Sequence, residues 1–349
     1  MRAVVFEKWK TPPVLTEVDK PTPGPGEVLL KVAGAGACHS DVAVFADYDE
    51  SMGMAQLEGP YTLGHETSGW IEELGEGVTG FKKGDAYLVY GPIGCQHCAP
   101  CSRGQDTYCT NVAEMDYMAT GLGRDGGMAE YMTVPARNLV PLGDADPIAA
   151  APLADAGLTP YHAIKLSLPK LAGGGKTALV IGLGGLGLIA VQILKALTGA
   201  KIIATDMKED AMKRAEEFGA VTVPGGDGQA DRIRELTGDA GVTAVFDFVG
   251  VAPTIALSAE VVARQGRITI IGIAGGVYEW SFYKVPYEVD FTTTYWGTIE
   301  DLYDVAAMYR AGQIVPDVEY YPIEQALEAY QKLQEGTISG RAVVTPHGR

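Results

Sequence analysis

An apolar strand, a glycine-rich turn and an apolar helix follow one another in the middle of the chain. The strand reads TALVI (177–181) and the helix reads LGLIAVQILKAL (186–197). Gly182 permits a tight turn, Gly184 lets the backbone approach a pyrophosphate, and Gly187 allows the helix to pack closely on the strand. Since a helix N-terminus also favours negative charge, the pattern predicts a dinucleotide site, although a purely structural turn is an alternative. The predicted cofactor-binding residues of this turn are Gly182, Leu183, Gly184, Gly185, Leu186 and Gly187.

An acidic residue ends the next apolar stretch. Asp206 lies about 20 residues after the glycine turn, where a carboxylate can bind both hydroxyls of an adenine ribose and repel a 2′-phosphate. The residue therefore favours NAD over NADP. Asp206 could instead cap the following helix, and neighbouring Lys208 could weaken the discrimination between the two cofactors.

The order of strands and helices predicts two domains, as does a length of 349 residues. From about Asp155 onward apolar strands alternate with amphipathic helices, which is typical of an α/β Rossmann fold with a doubly wound parallel sheet. We predict this domain at 156–296, with a helix at 209–218 and strands at 177–181, 201–205, 221–223, 245–248, 267–273 and 291–296.

The remaining residues, 1–155 and 297–349, are expected to form one discontinuous, mainly antiparallel and barrel-like domain. Short strands between glycine and proline turns indicate this class. The predicted strands are 2–7, 27–32, 67–74, 86–90, 318–322 and 341–345, and the predicted helices are 300–310 and 324–334.

The charge of the chain restricts its partners. A formal net charge of −17 disfavours nucleic acids and anionic membranes, so a small molecule is the expected partner. The N-terminus MRAVVFEKWK and the other apolar runs are too short or too glycine-interrupted to span a bilayer. We therefore expect a cytoplasmic protein whose five cysteines are reduced.

Four of the five cysteines form the pattern C-x2-C-x2-C-x7-C. Their thiolates can converge on one tetrahedral zinc ion, and with no open coordination position such a site is structural. Iron–sulfur ligation and disulfides are the alternatives. His97 lies inside the pattern and is interpreted as a solvated loop residue. The predicted ligands are Cys95, Cys98, Cys101 and Cys109.

The fifth cysteine, Cys38, stands in GACHSD (36–41), and the motif GHE follows at 64–66. Together with the cysteine pattern and the glycine turn, these motifs closely resemble the zinc-dependent medium-chain dehydrogenase/reductase family, especially bacterial alcohol dehydrogenases acting on secondary alcohols. The resemblance covers essentially the whole chain, and it implies that the discontinuous domain is GroES-like. It also implies that Cys38 and His65 bind a catalytic zinc. Asp155 matches the third ligand, although it could instead cap the next helix.

The resemblance implies roles for further residues near this zinc. Ser40 corresponds to the hydroxyl that accepts the alcohol proton, although it could be only a turn former. Asp41 is expected to orient His65, and Glu66 to occupy the fourth zinc position transiently. His39 and Arg341 are expected to approach the cofactor pyrophosphate, with a solvated Arg341 as the alternative. Many relatives carry a histidine that ends the proton relay, where this chain has Ala43.

Family analogy also extends to the cofactor and the substrate. It places Thr159, Val249 and Ile273 near the nicotinamide, and it offers Ala43, Tyr295 and Trp296 as walls of the substrate pocket. The expected activity is reversible oxidation of small or hydrophobic primary and secondary alcohols with NAD and two zinc ions per chain. The alternatives are a zinc polyol dehydrogenase, a zinc-free quinone reductase and a noncatalytic nucleotide-binding protein. Since relatives form dimers or tetramers, the resemblance suggests a homotetramer, with a dimer as the alternative.

Overall fold

The computed structural model describes residues 1–238 and 240–349, which form two compact units. The first unit is Met1–Leu158 with Thr298–Arg349, and the second is Thr159–Gly297. These bounds lie within a few residues of the expected domain division. Within residues 1–238 and 240–349, every helix is too short or too polar to span a lipid bilayer.

The elements are numbered in chain order through both units. The strands are β1 (Arg2–Phe6), β2 (Val14–Glu17), β3 (Glu27–Ala37), β4 (Tyr61–Thr62), β5 (Glu66–Leu74), β6 (Ala86–Val89), β7 (Ala119–Thr120), β8 (Gly123–Arg124), β9 (Tyr131–Pro135), β10 (Leu139–Pro141), β11 (Thr177–Ile181), β12 (Lys201–Asp206), β13 (Val221–Pro224), β14 (Val242–Asp247), β15 (Val262–Ile270), β16 (Asp290–Thr293), β17 (Val318–Pro322) and β18 (Arg341–Thr345). The helices are α1 (His39–Val42), α2 (Pro147–Ala150), α3 (Leu158–Lys165), α4 (Leu168–Leu171), α5 (Gly185–Leu197), α6 (Glu209–Glu217), α7 (Gln229–Thr237), α8 (Ala252–Val261), α9 (Ile299–Arg310) and α10 (Ala326–Gln334).

The first unit is built on a mainly antiparallel sheet with the strand order β10-β6-β5-β3-β18-β17, and β9 also pairs with β3. The long strand β3 is buried at nearly every position, which matches its apolar and glycine-rich sequence. Strand β18 runs antiparallel to β3, with Ala342 opposite Ala37. The C-terminal segment therefore belongs to the same sheet as the N-terminal strands, and the predicted fold class is confirmed.

The second unit contains a parallel sheet with the strand order β13-β12-β11-β14-β15-β16. The order reverses between β11 and β14, and ligands of such sheets bind at the carboxyl ends of the strands near this reversal. All five residues of β11 are buried. Helix α5 contacts β11 and helix α8 contacts β14. The predicted Rossmann topology is confirmed.

Two predicted strands extended too far. Strand β15 ends at Ile270, three residues short of the predicted end, because the amides of Ile271 and Gly272 donate to the carbonyl oxygen of Asp247. Strand β16 ends at Thr293, and Trp296 beyond it has a left-handed backbone with φ of 49°. Strand β3 is longer than predicted: it continues to Ala37, five residues past the predicted end at 32, because residues 34–36 still pair with β5. Strand β14 starts at 242 and stops at 247.

Candidate active site and metal centres

Donor atoms of four residues converge in the first unit. Cys38 follows β3, His65 and Glu66 stand at the start of β5, and Asp155 follows a 3₁₀ helix at Ala151–Ala154. Their ligand atoms, one sulfur, one imidazole nitrogen and two carboxylate oxygens, all lie within 4.8 Å of one another. The structure thus brings Cys38, His65 and Asp155 together, with Glu66 as a fourth member of this donor cluster.

Strand register explains why these residues meet. Gly36 pairs with Glu66 across β3 and β5, and Ala37 pairs with Ala342 across β3 and β18. A Cβ at Gly36 would lie 2.1 Å from Oε2 of Glu66, so the close approach requires glycine. The end of β3 and the starts of β5 and β18 therefore deliver the side chains to one place.

Asp41 fixes the orientation of His65. Its Oδ1 lies 2.8 Å from Nδ1 of His65, and its Oδ2 accepts a hydrogen bond from the amide of Cys38 at 3.1 Å. Because a carboxylate only accepts, Nδ1 carries a proton in this pair, and Nε2 is the nitrogen left to bind a metal ion. Nε2 faces the donor cluster and lies 3.7 Å from Oδ2 of Asp155. Asp41 thus occupies the position expected of it.

Ser40 lies at the edge of the donor cluster. Its hydroxyl donates to Sγ of Cys38 at 3.1 Å and lies 3.2 Å from Nε2 of His65. The hydroxyl is therefore within hydrogen-bond reach of two atoms of the donor cluster, Sγ of Cys38 and Nε2 of His65. His39, one residue earlier, is exposed at the start of α1.

Arg341 forms a buried ion pair with Glu66. Both residues are nearly inaccessible to solvent. Burial raises the pKa of Glu66 well above its usual range, and the positive charge of Arg341 opposes that rise only in part. Oε2 of Glu66 and Nε of Arg341 are buried with no hydrogen-bond partner among the described residues. Arg341 is therefore not a solvated residue.

The charges of the donor cluster favour a cation. Burial alone would raise the pKa of the Cys38 thiol, but Arg341 and His65 outweigh it and lower this pKa to about 7. Burial alone would lower the pKa of His65, but the carboxylates of Asp41 and Asp155 raise it well above its usual range. The buried donor cluster contains one thiol and two carboxyl groups, so it attracts a positive ion.

The donor set fits zinc. A thiolate, an imidazole and a carboxylate from Cys38, His65 and Asp155 are its usual ligands, and three protein ligands leave one position for a water or substrate oxygen. Glu66 offers an additional donor, since its Oε2 has no hydrogen-bond partner among the described side chains.

A second set of donor atoms comes from the four remaining cysteines. Their sulfur atoms lie within 4.8 Å of one another, and no cysteine of the described chain forms a disulfide. The amide of Cys98 donates to Sγ of Cys95, and the amide of Cys95 donates to Sγ of Cys109, each at 3.3 Å. Hydrogen bonds from backbone amides, including that of Cys101, lower the pKa of Cys98 to about 6. These four residues, Cys95, Cys98, Cys101 and Cys109, fit a closed zinc site.

The glycine turn of the second unit has the geometry that phosphate binding requires. Gly182 adopts a left-handed backbone (φ 87°), and a Cβ at Gly187 would lie 1.9 Å from the carbonyl oxygen of Gly182. Gly184 is the N-cap of α5, and apart from its neighbours in the chain no atom lies within 4 Å of the place its Cβ would take. The helix N-terminus is therefore open to an anion.

Asp206 ends β12 beside this turn. Its Oδ2 accepts a hydrogen bond from the amide of Leu183 at 2.6 Å, and its Oδ1 accepts one from the amide of Lys208 at 2.8 Å. The carboxylate therefore links the glycine turn to the residue before α6. The N-cap of α6 is Lys208, not Asp206.

The residues predicted to contact the nicotinamide or the substrate are distributed over both units. Thr159 is buried in α3, and Val249 follows β14 with its amide donating to the carboxylate of Asp247. Ile273 lies beyond β15 and is 65% exposed, so it is not at the end of that strand as predicted. Ala43 belongs to the first unit, whereas Tyr295 and Trp296 belong to the second, where their rings are 5.4 Å apart.

Comparisons with known proteins agree with both units. The model of the alcohol dehydrogenase GroES-like domain matches residues 24–144, and that of zinc-binding dehydrogenases matches 185–310. An NAD-dependent alcohol dehydrogenase of Sulfolobus acidocaldarius is 33% identical over 99% of each chain. The chain belongs to the zinc-dependent medium-chain dehydrogenase/reductase family.

Other medium-chain dehydrogenases resemble this chain to a similar degree. The crystal structure of the alcohol dehydrogenase of Aeropyrum pernix superimposes with a TM-score of 0.90 at 33% identity, covering 99% of this chain and 100% of that one. The D-arabinose 1-dehydrogenase (NADP⁺) of Saccharolobus solfataricus is 32% identical over 99% of this chain and 97% of its own. Relatives at this distance therefore carry different substrates and cofactors in their names.

The structure of this medium-chain dehydrogenase also reveals residues that the sequence did not indicate. Tyr330 of α10 donates a hydrogen bond to Asp41. Arg137 donates both to the carboxylate of Asp106 and to the carbonyl oxygen of Cys101. No short motif surrounds these residues, so no local pattern could have marked them.

Proposed function

We propose that this medium-chain dehydrogenase reversibly oxidises small or hydrophobic primary and secondary alcohols, with NAD as the hydride acceptor and two zinc ions per chain. The observation that carries the proposal is the convergence of Cys38, His65, Glu66 and Asp155, with the imidazole oriented by Asp41. When bound, zinc acts as a Lewis acid on the substrate oxygen, and the nicotinamide accepts the hydride.

The chain's own residues hold the metal and move the proton. Cys38, His65 and Asp155 would be the zinc ligands, and Glu66 a reserve ligand. Ser40 is the proposed proton acceptor, since its hydroxyl is within hydrogen-bond reach of two ligand atoms. The four cysteines at 95, 98, 101 and 109 would hold a structural zinc, which fixes their loop and takes no part in the chemistry.

Asp206 supports NAD as the cofactor. Two backbone amides hold its carboxylate at the end of β12, where it can accept hydrogen bonds from ribose hydroxyls and repel a 2′-phosphate. The names of several relatives include NAD. A sugar dehydrogenase is the second candidate because of the similar D-arabinose dehydrogenase.

We also propose that the enzyme is a cytoplasmic homo-oligomer, with a tetramer favoured. Strand β16 is one edge of the parallel sheet, and exposed apolar residues occur in it and in the chain segment before it. They are Val277, Phe282, Tyr283, Tyr287 and Phe291. An exposed edge strand beside an apolar patch suits pairing with a second copy, and native mass spectrometry measures the number of subunits.

The central test combines metal analysis with turnover on primary, secondary and polyhydric alcohols and pentoses, each with NAD and NADP. The wild type should hold two zinc ions and oxidise simple alcohols with NAD. His65→Asn should hold one zinc ion and lose turnover. The control His97→Asn, at an exposed histidine beside the cysteine site, should hold two zinc ions and keep wild-type turnover. Undiminished turnover in His65→Asn would contradict the catalytic assignment, and turnover confined to pentoses would favour the sugar dehydrogenase.

The cofactor assignment has its own test. Asp206→Ser should lower kcat/KM for NAD by about 10-fold or more, because a hydrogen bond to a charged group contributes about 1.5–3 kcal/mol. It should also raise the ratio of NADP to NAD turnover. Glu209→Gln, which removes an exposed carboxylate three residues later, is the control.

A further inference from the structure

A tyrosine from α10 contacts the carboxylate that orients His65. The hydroxyl of Tyr330 donates to Oδ2 of Asp41 at 3.0 Å, and the ring is 2% exposed. We propose that Tyr330 is a positioning residue, which holds Asp41 and through it the metal ligand His65. The inference rests on the zinc assignment under Proposed function.

The hydrogen bonds of Asp41 show how the effect would be transmitted. Oδ1 of this fully buried carboxylate binds Nδ1 of His65, and Oδ2 accepts from the amide of Cys38 and from Tyr330. One carboxylate therefore connects both ligands to a residue that lies 289 positions away along the chain. A buried carboxylate with every oxygen bonded has one orientation, and this orientation fixes the imidazole.

The surroundings of Tyr330 suit a donor that never changes its protonation state. Burial and the negative charge of Asp41 raise the pKa of Tyr330 well above its usual range, so the hydroxyl stays protonated and can only donate to the carboxylate. The ring packs edge-on against Phe45 at 5.7 Å between centroids. Since phenylalanine would keep this packing, Tyr330→Phe removes the hydrogen bond alone.

A matched control is available in the same unit. Tyr61 is also buried, at 4% exposure, and its hydroxyl points to the carbonyl oxygen of Leu57 at 3.5 Å. Tyr61→Phe removes a buried hydroxyl without removing a hydrogen bond to Asp41. Removing a residue that hydrogen-bonds to a metal ligand typically weakens metal binding 10- to 100-fold. Because Tyr330 is one hydrogen bond further out, we expect Tyr330→Phe to weaken zinc binding by about the lower end of that range.

The experiment follows zinc release from purified protein into excess chromogenic chelator. The wild type should release its two zinc ions in separate phases, and His65→Asn identifies the phase of the catalytic site because it lacks that phase. Tyr330→Phe should accelerate this phase about 10-fold and leave the four-cysteine phase unchanged, whereas Tyr61→Phe should change neither. With cobalt in the catalytic site, the visible absorption bands should shift in Tyr330→Phe only.

A double-mutant cycle separates positioning from a general structural effect. If Tyr330 acts through Asp41, Tyr330→Phe should accelerate release much less in an Asp41→Asn background than in the wild type. Equal release rates in wild type and Tyr330→Phe, or fully additive effects, would overturn the inference alone. Absence of a second zinc from the wild type would overturn the proposed function, and the inference with it.

Discussion

Arg341 and Glu66 form an ion pair that is buried inside the first unit, on two strands that both pair with β3. Both side chains are nearly inaccessible to solvent, so each charge depends strongly on the other. Such a pair adds little to stability compared with apolar residues, but it is costly to break on one side.

Arg341→Met should therefore lower the free energy of unfolding of the first unit by about 3–5 kcal/mol, because it leaves Glu66 buried without its partner. Urea unfolding measures the change. The double variant with Glu66→Gln should recover part of the loss. Lys284→Met, which breaks an exposed pair with Glu279, is the control and should leave the midpoint unchanged. An equal loss in the single and double variants would contradict the pairing argument.

Arg137 should control the stability of the cysteine site. It donates to Asp106 at 3.1 Å and to the carbonyl oxygen of Cys101 at 2.8 Å, while Asp106 also accepts from the amide of Gly94 at 3.0 Å. Arg137→Met leaves a buried carboxylate without its cation, so the four-cysteine zinc should be released at least several-fold faster. Chelator competition measures this rate, and Arg103→Met, at an exposed arginine of the same segment, should behave as wild type.

Two glycines of the nucleotide turn should respond differently to alanine. In Gly187→Ala the new Cβ would meet the carbonyl oxygen of Gly182, so the thermal midpoint should fall by several degrees. In Gly184→Ala the new Cβ meets no protein atom, so the midpoint should stay near that of wild type. This variant should nevertheless bind NADH at least 10-fold more weakly in a fluorescence titration, because the methyl group takes space used by the pyrophosphate. Unchanged binding would contradict the phosphate site.

The pair of Arg2 and Glu130 should make stability depend on pH. Burial alone would raise the pKa of Glu130, but hydrogen bonds from the Arg2 amide (2.9 Å) and Nε (3.0 Å) outweigh it and lower this pKa. A lowered pKa in the folded state stabilises the fold above the unfolded value of about 4.3, and this stability is lost as pH falls through the folded value.

Glu130→Gln should therefore be less stable than wild type at pH 7, and the difference should shrink as the pH falls below about 4. Urea unfolding at several pH values measures it. Glu335→Gln, at an exposed glutamate, should show no such trend. A difference that stays constant down to acid pH would refute the assigned role of the charge.

Features with local spacing could be predicted from the sequence. The glycine turn and the four cysteines each occupy a short segment, so their geometry follows from neighbours along the chain. Family resemblance, and not local spacing, predicts that Cys38 meets His65 and Asp155.

Features that depend on distant packing could not be predicted. Strand β15 ends early because the carbonyl oxygen of Asp247 accepts hydrogen bonds from the amides of Ile271 and Gly272. Apolar periodicity does not reveal such a contact. Tyr330 looks like an ordinary apolar position of an amphipathic helix, and only the tertiary fold places its hydroxyl at Asp41. Sequence patterns indicate which face of an element is buried, but not which polar atom it meets there.

The pairing of β18 with β3 also determines when the ion pair of Arg341 and Glu66 can form during synthesis. Cys38 leaves the ribosome before the whole second unit and before Arg341, which lies 275 residues after Glu66. At about 5–20 residues per second, roughly 15–60 s pass between the synthesis of Cys38 and that of β18. The ion pair is therefore among the last contacts of the first unit to form, long after the donor residues Cys38, His65 and Asp155 have been synthesised.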